Sequence, residues 1–157
     1  MGRVDANVVL YDIGAVADAI RCPVRRLESW VEQQILEPVA EASGPGTRRK
    51  FDFATAVKAG ILNELRWLLG PHFRPGEVGR YFAQLGPYSP EWRFFKDRQD
   101  RSRSGLIVLY RDPRLRTLAA AFTDSKRDAL ERIARHEALV VINIDEIAAR
   151  VRTALGL

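Results

Sequence analysis

The chain has 157 residues, 46% of them hydrophobic and 29% charged, which suits one or two compact domains and excludes a largely disordered chain. Its longest apolar runs, at 105–110 and 138–142, are too short to span a bilayer, and no basic-then-apolar leader begins the chain, so we expect a cytoplasmic protein without membrane contact. The single cysteine, Cys22, excludes an internal disulfide, and the net charge of +5 rests mostly on arginine, whose planar fork suits phosphate and guanine.

The first predicted element is a short helix within residues 11–20. Its apolar residues recur at helical spacing and share one face: Ile13, Val16, Ala17 and Ile20. Asp12 is a suitable N-cap. Residues 21–23 break the pattern, and Pro23 suits the first position of a second helix that continues to about Gln34.

The second helix is predicted to bury one side and to expose arginines on the other. The apolar side holds Val24, Leu27 and Val31, with Trp30 at its edge. The polar side holds Arg25, Arg26, Ser29 and Glu32. Two short helices with a tight break fit the helix-turn-helix unit, in which the second helix offers its polar face to the major groove. A plain helical hairpin with a solvated arginine face is the alternative.

A β-hairpin is predicted after these helices, at residues 41–51. Residues 43–46, Ser-Gly-Pro-Gly, give a strong turn signal. The return strand carries Arg48, Arg49 and Lys50 and ends at the apolar Phe51. Three consecutive cations beside a glycine-rich tip suit contact with a phosphate backbone; a solvated basic loop is the alternative.

Two further helices follow the hairpin. Asp52 is expected to cap a helix from Phe53 to about Leu69, which Gly70-Pro71 ends. Its apolar stripe consists of Phe53, Val57, Ile61, Leu65 and Leu68. Pro75 opens a fourth helix, and Gly86-Pro87 closes it.

In order and spacing these motifs resemble the N-terminal DNA-binding domain of the MerR family. The matching segments are Tyr11 to Ala17, Pro23 to Leu27, Ile35 to Pro38 and Arg49 to Phe51, with Trp30 at an aromatic position of the family. The resemblance covers about residues 10–85. It implies a winged helix-turn-helix domain over residues 10–86, with recognition helix 23–34 in the major groove and basic wing 41–51 on the DNA backbone. The chain departs from the family at Glu28 and Ser29, where an arginine and a tyrosine are common.

The second half is predicted to differ from that family. Residues 87–104 are expected to form a linker or loop, and its aromatic residues to pack rather than to bind an effector (Tyr88, Trp92, Phe94 and Phe95). Residues 105–157 are predicted to form a small α+β module of two to three strands and two helices. The long coiled-coil helix and the cysteine metal loop known in the family have no counterpart here. We expect this module to mediate a homodimer, through the last helix or the edge of the strand at 138–142.

The sequence therefore predicts an α+β protein that binds double-stranded DNA as a bacterial, nucleoid-associated transcription regulator. The expected DNA contacts are Arg25, Arg26, Ser29, Trp30, Arg48, Arg49 and Lys50. No metal, cofactor or catalytic residue is expected, because the chain has no paired-histidine motif, no glycine-rich phosphate loop and no nucleophile–base pair. Two alternatives remain: an excisionase-like protein that bends DNA, or an antitoxin or adaptor whose C-terminal module binds a protein partner.

Overall fold

The computed structural model describes residues 9–84, 105–112, 117–123, 125–135 and 139–157. These residues form helices and two small antiparallel sheets, which confirms the predicted α+β class. The helices are α1 Ile13–Ala19, α2 Val24–Glu32, α3 Phe53–Leu69, α4 Pro75–Gln84, α5 Lys126–Arg135 and α6 Ile144–Ala154, with a 3₁₀ turn at Gly70–His72. The strands are β1 Tyr11–Asp12, β2 Lys50–Phe51, β3 Leu106–Asp112, β4 Thr117–Thr123 and β5 Leu139–Asn143.

Helices α1 and α2 are joined by a tight turn. Asp12 caps α1 as predicted, since its carboxylate accepts a hydrogen bond from the Ala15 amide at 2.9 Å. At the other end the Cys22 amide donates to the Ala17 carbonyl at 2.9 Å, and Arg21 adopts a left-handed φ of 54°. These bonds form a Schellman motif, which ends α1 and sends the chain directly into α2.

The first sheet is built around Lys50. Lys50 pairs with Asp12 of β1 on one side and forms an isolated bridge with Ala40 on the other, while Phe51 pairs with Tyr11. The hairpin predicted at 41–51 is therefore reduced to a single bridge at its base. Lys50 to Phe51 join the strand before α1 instead, and Phe51 is only 1% exposed.

Helix α3 lies at the centre of the molecule. Asp52 caps it by accepting from the Thr55 amide at 2.8 Å, and Gly70 ends it, both as predicted. The predicted stripe is buried at Val57, Ile61 and Leu65, but the other sides of its first ten residues are almost all buried as well. A helix that is apolar nearly all round is one enclosed by other elements.

The second sheet has the order β4-β3-β5, with all pairs antiparallel. Ile107 and Leu109 of β3 and Ile142 of β5 face the main core. Leu106 and Val108 face the opposite side, where Ala129 of α5 packs against them. The predicted strands and helices of this half are thus present, whereas residues 113–116 lie outside the described residues.

Helix α6 joins the two halves of the chain in one core. Asn143, the last residue of β5, caps α6, so that the helix begins without a linker. Ile147 and Val151 belong to the same buried cluster as α1, α2 and α3. Arg150 pairs with Glu64 of α3, and the Arg152 guanidinium lies 5.0 Å from the centre of the Phe53 ring. The predicted linker 87–104 and its aromatic residues lie outside the described residues. No helix in the part of the chain that the structure describes is long and apolar enough to cross a membrane.

Candidate nucleic-acid interface

Helix α2 buries a face that is rotated from the predicted one. Leu27, Trp30 and Val31 are 0%, 3% and 8% exposed, whereas Val24 is 37% exposed. The prediction that Val24 is buried together with Leu27 and Val31 is therefore wrong, because the first turn of α2 extends beyond the core. Trp30 was predicted to contact DNA, but its side chain is buried in this face. It is therefore not available to DNA while the protein is folded.

The polar face of α2 presents two arginines from its first turn. Arg25 is exposed, and Arg26 is half-buried, with its Nη1 atom 3.9 Å from the Cys22 sulfur. Burial raises the pKa of the Cys22 thiol, so this contact involves a neutral sulfur and leaves the guanidinium charge uncompensated by the thiol. One turn further along, Ser29 accepts a hydrogen bond from Gln33 Nε2 at 2.7 Å. Arg25 and Arg26 are thus the cations that α2 can present to a ligand.

The three cations at 48–50 do not all point the same way. Arg48 and Lys50 lie near the Asp12 carboxylate and lower its pKa, together with the hydrogen bond from the Ala15 amide, which has the larger effect. Arg49 instead pairs with Glu41, with Nε and Oε2 2.9 Å apart. Successive residues in an extended chain point to opposite sides, so Arg48 and Lys50 share one side and Arg49 takes the other.

The loop that carries these cations is closed at its tip. The Thr47 hydroxyl accepts from the Gly44 amide at 2.9 Å and donates to the Gly44 carbonyl at 2.6 Å. Gly46 has a φ of 82°, a conformation that favours glycine. The glycine-rich tip is therefore a defined turn, and residues 41–48 are all exposed to solvent.

Helix α1 connects the two groups of cations. Its N-terminal end lies beside Arg48, whose Nη1 would be 3.6 Å from a Cβ atom at Gly14, and its C-terminal end leads into α2. Helix α1, seven residues long, therefore lies between Arg48 and the helix that carries Arg25 and Arg26.

Sequence reasoning missed the partner of Arg49. Glu41 is eight residues earlier, and the Ala40–Lys50 bridge places the two opposite each other. Opposite charges at facing positions of a predicted hairpin are a signal for such a pair. The expected contact Arg49 is therefore already occupied by a carboxylate.

Within the described residues no cluster of three or more histidine, cysteine or acidic side chains is arranged to hold a metal ion. In comparisons with known proteins, no family model and no protein of established function matches this chain. The geometry of the cations is therefore the feature of this protein that points to a function.

Proposed function

We propose that this protein is a sequence-specific, double-stranded-DNA-binding transcription regulator of MerR-like winged helix-turn-helix type, acting as a homodimer. In this proposal α2 enters the major groove, where Arg25 and Arg26 read base edges. The loop at 41–51 is the wing, and it holds the flanking backbone through Arg48 and Lys50.

The observation that carries the proposal is the division of α2 into two faces. Leu27, Trp30 and Val31 fix the helix on the core, so its opposite face stays rigid and open with two arginines at its leading end. Arginine binds guanine O6 and N7 through two parallel hydrogen bonds, worth about 1–3 kcal/mol of discrimination. A rigid helix that presents such groups can read sequence rather than only charge.

The wing supports the proposal in a different way. Arg48 is exposed, and the first sheet anchors Lys50 through Asp12 and Ala40. Contacts to phosphate fix the position of a protein on the duplex but carry no sequence information directly. Arg49 contributes less, since Glu41 neutralises it.

The test is fluorescence anisotropy with the duplex upstream of the protein's own gene and a scrambled duplex, at several salt concentrations. Arg25→Ala/Arg26→Ala should abolish the preference for the native duplex. Arg48→Ala/Lys50→Ala should weaken both duplexes and flatten the plot of log affinity against log salt by about 0.9 for each lost phosphate contact.

Arg127→Ala/Arg135→Ala is the matched control, because it removes the same charge from two exposed arginines on α5. It should leave the preference unchanged. If both duplexes bind equally weakly and neither site variant differs from this control, the proposal fails, and the fold serves as a scaffold for protein contacts instead.

A further inference from the structure

Strand β5 forms one edge of the three-stranded sheet. β3 pairs along one side of it from Leu139 to Asn143. β4 forms the other edge of the sheet, and α4 and α5 both contact it. Among the strands that the structure describes, none pairs with the outer side of β5.

The outer side of β5 carries backbone groups that no described strand pairs with, at positions that the register defines. The Ile144 amide donates to the Gly105 carbonyl at 2.8 Å, which fixes the phase of the ladder. Antiparallel pairs alternate between hydrogen-bonded and non-hydrogen-bonded positions. Val140 and Ile142 therefore direct their backbone groups to β3, whereas those of Leu139 and Val141, and the Asn143 amide, point away from the sheet.

In the part of the chain that the structure describes, this edge lacks the features that keep edge strands from pairing. Its sequence, Leu-Val-Val-Ile-Asn, contains no charge and no proline, and lysine, proline, bulges or a covering element are the usual protection. Val141 is 38% exposed. It lies on the sheet face that holds Val108, its partner in β3, and this is the face on which α5 packs.

We propose that β5 pairs antiparallel with β5 of a second copy of this chain, about a two-fold axis at Val141, to give a continuous six-stranded sheet. This register places Val141 opposite itself and Leu139 opposite Asn143, so that outward-facing groups meet outward-facing groups. A centre at Val140 or Ile142 would instead oppose groups already bonded to β3.

The strand is complementary to itself, as a two-fold interface requires. Because β5 is uncharged, its self-pairing brings no like charges together. The dimer would also give the proposed regulator two recognition helices related by a two-fold axis. This role of the dimer in DNA binding rests on the proposed function. Pairing through β5 requires no DNA and is tested without DNA, so it can fail independently of the proposed DNA binding.

Sedimentation equilibrium of the full chain provides the first test. The wild type should be a dimer, and Val141→Lys, which opposes two lysines at the axis, should raise the dimer dissociation constant by at least about tenfold. Ile133→Lys on α5 is the matched control, since Ile133 is similarly exposed at 42%; it should leave the dimer intact. A monomeric wild type, or dissociation by Ile133→Lys but not by Val141→Lys, would overturn the proposal.

Cross-linking provides a test that does not depend on a charge in the strand. Val141→Cys should be joined rapidly into a covalent dimer by a short bis-maleimide, because the two residues at the axis face each other at about 5.5 Å between Cα atoms. Ile133→Cys should react no faster than the wild type, whose Cys22 is buried. Equal cross-linking of all three proteins would exclude pairing through β5.

Discussion

Among the described residues, two helix ends place a residue other than glycine in the left-handed region. Gln34 follows α2 with a φ of 58°, and the Ile35 amide bonds to the Trp30 carbonyl at 2.8 Å, as in the Schellman turn after α1. The same turn after α6 uses Gly156 at a φ of 76°. A side chain in this conformation costs about 1–2 kcal/mol, so α2 ends at a strained position.

Gln34→Gly should therefore raise the free energy of unfolding by up to about 1 kcal/mol, measured by urea denaturation. Gln33→Gly is the control, one residue earlier at a φ of −81°. At position 33 glycine relieves no backbone strain, and the substitution removes the hydrogen bond from Gln33 to Ser29. This variant should therefore be less stable than wild type. Equal effects of the two substitutions would contradict the strain argument.

Burial of Lys58 is expected to make the stability of the protein depend on pH. It is 9% exposed within α3, and burial lowers its pKa to about 8, against the opposing influence of the Asp52 and Glu37 carboxylates. In the unfolded chain a lysine titrates near 10.4. Between these two values the unfolded state binds more protons, so stability should rise with pH there; below pH 8 this group adds no pH dependence.

Lys58→Met should abolish that rise. The difference in unfolding free energy between wild type and variant should change by about 3 kcal/mol from pH 7.5 to pH 10.5, since one pKa unit corresponds to about 1.4 kcal/mol. Parallel stability curves for the two proteins would show that Lys58 titrates normally.

At the scale of elements, the contact between α3 and α6 depends on the absence of a side chain. A Cβ atom at Gly60 would lie 2.7 Å from Ile147 Cγ2 and 3.6 Å from Val151 Cγ2. Both partners are buried in the core and have little room to move. The absence of a side chain at Gly60 lets the two helices approach closely at this point.

Gly60→Ala should destabilise the protein although alanine favours helix. Alanine gains about 1 kcal/mol in helix propensity, whereas overpacking a core typically costs about 1–3 kcal/mol, so a net loss is expected. Gly76→Ala in α4 meets no atom within 4 Å and should be neutral or stabilising. The measurement is thermal unfolding of both variants. If Gly60→Ala were as stable as Gly76→Ala, α6 would not be in close contact with α3 at Gly60.

These elements also show what the sequence could and could not predict. The caps at Asp12, Asp52 and Asn143 were predictable, because each involves residues only two or three positions apart. The face of α2 was not, since Trp30 is buried by elements distant in the chain. Gly60 is a signal of this contact in the sequence, because a glycine inside a long helix often marks a close approach of another element. The contacts proposed for DNA remain predictions.

For the whole molecule, the core shared by the two halves predicts that they unfold cooperatively. Ile147 comes from the C-terminal half, is 4% exposed, and lies in the same cluster as Trp30 of α2. If residues 10–86 and 105–157 were independent domains, a cavity at Ile147 would leave the unfolding of α2 unchanged. If they fold as one unit, both halves lose stability together.

Ile147→Ala should lower the unfolding free energy reported by Trp30 fluorescence by about 2–5 kcal/mol. The measurement uses a chain with Trp67→Phe and Trp92→Phe, so that Trp30 alone reports. Ile133→Ala, at an exposed isoleucine of the same half, is the control and should shift the transition little. Two independent domains would be established if Ile147→Ala left the unfolding transition of Trp30 fluorescence unchanged while far-UV circular dichroism showed loss of structure at a lower denaturant concentration. A single transition displaced in both signals would mean that the two halves unfold as one unit and that α6 stabilises the helices proposed to bind DNA.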